Sequence, residues 1–117
     1  MELSAQQRED VIELQNLQQQ LQFLSMQRQQ MELQVSELTK AGDEVTGSNG
    51  QLYRFVGSVI VPKEKASLKK ELEAEKESIA LRQGTFAKQE EKVKERFMTL
   101  RKKLEAVMGK GGGGFNG

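Results

Sequence analysis

The side chains of this chain exclude most covalent chemistry. Its 117 residues contain no Cys and no His. The commonest general base and the commonest metal ligand are therefore missing. A zinc site would need an all-carboxylate donor set, which is unusual. There is no disulfide framework, and the chain needs no oxidising compartment. The Gly-Lys-Gly-Gly-Gly-Gly run at 109–114 superficially resembles a phosphate loop. It lacks the preceding strand, the following helix and the Ser or Thr after Lys. No carboxylate pair is placed in a pocket by the pattern, so no catalysis is expected and no cofactor is implied. What remains is apolar contact, at two places. One is Leu52, Tyr53, Phe55, Val56, Gly57, Val59, Ile60 and Val61, a compact β-forming cluster read as an assembly surface. The other combines Leu3, Val11, Ile12 and Leu14 with Phe97, Leu100, Leu104, Val107 and Met108 near the two chain ends.

The elements that position these clusters follow from periodicity. Ser4 with Gln7 fits a capping box, so a helix starts near residue 4. No Pro or Gly interrupts from there to Ala41. A seam runs Leu14, Leu17, Leu21, Leu24, Arg28, Met31, Val35, Leu38 at alternating spacings of three and four. That is the pattern of a coiled coil, broken only by Arg28. Gly42 is expected to end this helix as a C′ residue, with a loop over 42–50. Residues 51–62 form a hairpin in which Gly57-Ser58 suits a type II′ turn. That turn pairs Val56 with Val59 and Phe55 with Ile60. Tyr53, Phe55 and Ile60 then share one face, and Arg54, Val56, Val59 and Val61 the other.

A returning helix is expected over 63–108. Leu72, Ile79, Phe86, Val93, Leu100 and Val107 recur every seven residues. The companion positions are weaker: Leu68 is apolar, but Glu75, Arg82 and Gln89 are polar. Gly84 lowers helix propensity by about 1 kcal/mol. Residues 109–117 are a Gly-rich flexible tail. If Ala41 faces about Lys65, then Leu14 meets about Val93, and Leu3 meets about Lys103 and Leu104. The fold class is mostly α: an antiparallel two-helix coiled coil over 1–41 and 63–108, with one β-hairpin at its base. A lone hairpin with two apolar faces is marginal in water and needs neighbours on both sides.

The composition agrees. Aromatics are 5% and charged residues 30%, lean for a globular core and usual for solvated helices. A net charge of +1, with Lys and Arg interleaved with Glu, argues against a nucleic-acid surface. The longest apolar run, Val59-Ile60-Val61, is far short of a membrane span. The N-terminal residues lack the regions of a signal peptide, so the cytosol is the expected location.

The segment Leu52-Tyr53-Arg54-Phe55-Val56-Gly57-Ser58-Val59-Ile60-Val61 resembles the hairpin of prefoldin β-class subunits, Val-Tyr-Lys-x-Val-Gly-x-Leu-Ile-Val. The Leu-Gln-Gln-Gln-Leu-Gln run at 17–22 and Lys-Gln-Glu-Glu-Lys-Val-Lys at 88–94 are similar to that family too. The likeness spans roughly residues 5–108. A single hairpin favours the β class, since the α class carries two, and the likeness is closer to archaeal β subunits than to eukaryotic paralogues. The resemblance implies a hexamer of two α and four β subunits, with hairpins joined in a β-barrel body. It further implies an ATP-independent chaperone whose tips hold unfolded clients and pass them to a group II chaperonin. The cluster near the chain ends would then be the client-binding tip. The contrasting expectation is a structural coiled-coil adaptor that spaces fixed partners.

Overall fold

The computed structural model describes residues 3–108, with the side chain of Met108 outside the description. The expected tail over 109–117 also lies outside it. The order of elements is α1 (Ala5–Gly47), β1 (Leu52–Val56), β2 (Val59–Lys63) and α2 (Lys65–Met108). Two compact units result: Met1–Gln27 with Phe86–Gly117, and Arg28–Thr85. Each helix contributes to both.

The first unit begins with the capping box. The Ser4 amide donates to Gln7 Oε1 at 2.9 Å, and the Gln7 amide donates to Ser4 Oγ at 3.1 Å. Two backbone donors that a helix start leaves open are thereby satisfied. The core of this unit is the seam itself: Leu14, Leu17 and Leu24 of α1 are buried, as is Leu104 of α2. Phe86, Val93, Phe97 and Leu100 of α2 are half-buried.

The second unit corrects one boundary. Helix α1 does not stop at Ala41 but continues through Gly42 to Gly47. The physical reason is the seam. Gly42 and Val45 extend its alternating spacing beyond Leu38, and Val45 is buried with Met31 and Leu68. Burying Val45 contributes roughly 1.5–3 kcal/mol, more than the about 1 kcal/mol that a helical Gly costs. The loop shrinks to Ser48–Gln51, where the Ser48 amide donates to the Val45 carbonyl at 3.2 Å. Lys65 Nζ then caps the Ser48 carbonyl at 3.0 Å.

The hairpin has the expected register, with Val56 opposite Val59 and Phe55 opposite Ile60. Gly57 has φ of 63° and Ser58 does not share the positive sign, as a II′ turn requires. Strand β2 extends through Pro62 to Lys63 rather than closing at Pro62. A two-stranded sheet has only edge strands, where Pro is tolerated.

Two further expectations change. In the first unit Asp10 pairs with Lys103, the residue expected opposite Leu3. The register is displaced by about one heptad, as the longer α1 demands. The companion row of α2 also differs. Leu68 is buried and Glu75 half-buried as that row requires, but from Arg82 onward it shifts by one residue: Gln83, Glu90, Phe97 and Leu104 turn inward, whereas Arg82 and Gln89 are exposed. Gly84 is exposed, and a Cβ there meets nothing within 4 Å. Gly84→Ala is therefore expected to stabilise the chain by up to about 1 kcal/mol, read as a higher midpoint in a circular-dichroism melt. A lower midpoint would mean that the glycine serves something other than helix continuity.

Candidate functional site

The hairpin concentrates apolar surface. Phe55 is 71% exposed, and Tyr53, Val56, Val59 and Ile60 are each more than half exposed. Leu52 and Val61 are half-buried. Alternation along the strands places Tyr53, Phe55, Ile60 and Pro62 on one face. The face is contiguous, because these residues pair directly across the ladder. Contiguous apolar surface of this kind makes the hairpin a candidate association site.

The other face carries the cations. Arg54 of β1 lies 3.7 Å from Glu71 Oε2 and also pairs with Glu75. Lys63 of β2 donates to Glu71 Oε1 at 2.9 Å. The Lys63 hydrogen bond holds the Glu71 carboxyl below the usual carboxylate range, against the opposing effect of burial, with the charges of Lys63 and Arg54 adding to it. Glu71 Oε2 is shut off from solvent and accepts no hydrogen bond. Sequence alternation placed Arg54 on a largely apolar face and did not reveal this network.

The end of the first unit is more closed than the apolar count suggests. Leu104 is 1% exposed and Leu14 is likewise buried. Leu3, Val11, Phe97 and Leu100 are half-buried. Of the residues read as client contacts, Ile12 and Val107 stand in solvent, together with Met98. Met98 and Val107 are separated by about two and a half turns, so they face opposite sides of α2. Buried Asp10 accepts from Gln6 Nε2 at 3.0 Å and pairs with Lys103 at 3.2 Å. The Gln6 bond chiefly lowers the Asp10 pKa, burial opposes it, and Lys103 lowers it further. Arg96 Nε donates to Glu13 Oε1 at 2.7 Å. Further along α1, exposed Phe23 lines an open groove of about 680 Å³ between Gln20 and Leu24 of α1 and Gln89 and Val93 of α2, and Met26 is also exposed.

Among the described residues no acidic cluster is arranged to hold a metal ion, and no helix is long and apolar enough to cross a membrane. Two long helices joined by one antiparallel hairpin define a chain of the helix-hairpin-helix, coiled-coil class. The model of the prefoldin subunit family matches residues 8–111, and the chain belongs to that family. It is similar to the prefoldin subunit beta of Archaeoglobus fulgidus, 36% identical over 109 residues that cover 92% of this chain and 94% of that one. It is equally similar to the prefoldin subunit beta of Methanothrix thermoacetophila, 36% identical with 92% of each chain covered. The crystal structure of the prefoldin beta subunit from Thermococcus strain KS-1 superposes with a TM-score of 0.83 at 28% identity, covering 91% of this chain and 95% of that one.

Proposed function

We propose that this chain is a β-type subunit of a cytosolic, ATP-independent holdase. Its hairpin joins an α-class subunit and further β copies in an α2β4 complex. Its helix-pair ends capture unfolded proteins, which pass to a group II chaperonin. The observation that carries this reading is the exposed face of Tyr53, Phe55 and Ile60 on a hairpin that is marginal alone. Membership of the prefoldin family supports it. Capture would rest on weak apolar contacts at several ends of one body, where multivalency raises effective concentration. Ile12 and Val107 are reachable as the chain stands, as is Met98. Leu14 and Leu104 would serve clients only where the helix pair parts.

A second reading, a structural adaptor, draws on the closed end of the first unit, where Leu104 is buried and Asp10 is paired. Light scattering of a denatured, aggregation-prone protein diluted without ATP separates the two. A complex of this chain with an archaeal α-class subunit is expected to suppress aggregation. The triple variant Ile12→Ser, Met98→Ser, Val107→Ser is expected to assemble normally and lose about half of that suppression or more, in line with loss of a multivalent apolar site. No suppression by the intact complex favours the adaptor.

A further inference from the structure

The hairpin meets α2 through charge. Its two cations come from different strands, Arg54 from β1 and Lys63 from β2. Its two anions, Glu71 and Glu75, lie one turn apart on α2. Contacts from two strands to two turns constrain both the place and the tilt of a sheet. Either face of this hairpin is apolar enough to lie against a helix. Arg54 and Lys63 hold their own face toward α2 at its base, leaving Tyr53, Phe55 and Ile60 turned to solvent and Val56 and Val59 exposed only at the hairpin tip. We propose that Arg54, Lys63, Glu71 and Glu75 form an assembly-positioning clamp, which determines the sheet face and angle offered to partner subunits. The proposal rests on the assembly reading above. Glu71 suits the task because it is paired from both strands.

The test uses the full chain mixed with an archaeal α-class prefoldin subunit. Sedimentation velocity reads assembly, and far-UV circular dichroism reads helix content. Arg54→Glu and Glu75→Arg are each expected to weaken assembly by about tenfold or more at unchanged helicity, because each sets like charges together. The double reversal is expected to recover part of the loss, since the 54–75 pair is restored with opposite polarity while position 54 still faces Glu71 with like charge. That rescue is a readout a general loss of stability would not give. Where a reversal lowers helix content, Arg54→Gln replaces it, with weaker assembly again expected. Single variants that assemble like the parent, or a double no better than the singles, overturn the clamp. Ile60→Asp separates the two layers of the argument. If it assembles normally, the sheet-assembly reading itself fails. If it is blocked while Arg54→Glu assembles, the clamp alone fails.

Discussion

Ile60→Asp is expected to give a folded chain that no longer assembles. Ile60 sits opposite Phe55 in the ladder and is 56% exposed in the single chain. A carboxylate there remains hydrated before assembly, so helix content should be unchanged. Burying it against a partner without a counter-charge costs several kcal/mol. The same substitution removes an apolar side chain whose burial contributes roughly 1.5–3 kcal/mol. Together these weaken association by more than about 100-fold. Light scattering coupled to gel filtration, with an α-class subunit present, reads the mass directly. A parental mass for the variant would remove the hairpin from the interface.

Leu104→Ala is expected to be the most damaging single truncation in the first unit. Leu104 is the most deeply buried large side chain among the described residues, at 1% exposure. A Leu→Ala change at such a site costs about 2–5 kcal/mol, depending on how far the surroundings collapse. Val107 is about half exposed on the same helix. Val107→Ala should therefore change stability by no more than about 0.5 kcal/mol. Urea unfolding of the two variants side by side tests the contrast, and hydrogen exchange should place the Leu104→Ala loss in the first unit. Equal effects would mean that Leu104 is no knob of the seam.

Legibility varied with how local the signal is. The register of the hairpin could be read to the residue, because a two-residue turn with Gly57 first fixes the pairing of everything it joins, although β2 runs one residue past Pro62. The α1 seam was legible because its apolar residues alternate at three and four. Of its eight positions Leu14, Leu17, Leu24 and Met31 are buried, and Leu21, Arg28, Val35 and Leu38 half-buried. The end of α1 was misplaced because Gly42 fits both a C′ residue and a seam position. Val45 carried the deciding signal, since it continues the spacing past the glycine. The companion row of α2 was obscure because Gln83 and Glu90 are polar, and a seven-residue repeat alone does not say whether its partner lies three or four residues on. At the chain ends, apolar residues could be counted but not oriented. Leu14 and Leu104 turned inward while Ile12 and Val107 stayed out. The contacts of Arg54 with Glu71 and Glu75 join distant positions, and no short-range pattern encodes them.

The downward shifts of Asp10 and Glu71 have a physiological corollary. A carboxyl whose pKa falls on folding stabilises the folded state above its unfolded pKa, and that contribution fades as pH drops through the folded value. Both losses therefore lie in acid, below the ordinary carboxylate range. The chain also has no His and no Cys, whose ordinary pKa values lie nearest neutrality. Modest acidification or alkalinisation of a cell would leave the ionic contacts of Asp10 and Glu71 in place. The carboxylates of Asp10 and Glu71 therefore give this chain no proton switch near neutrality.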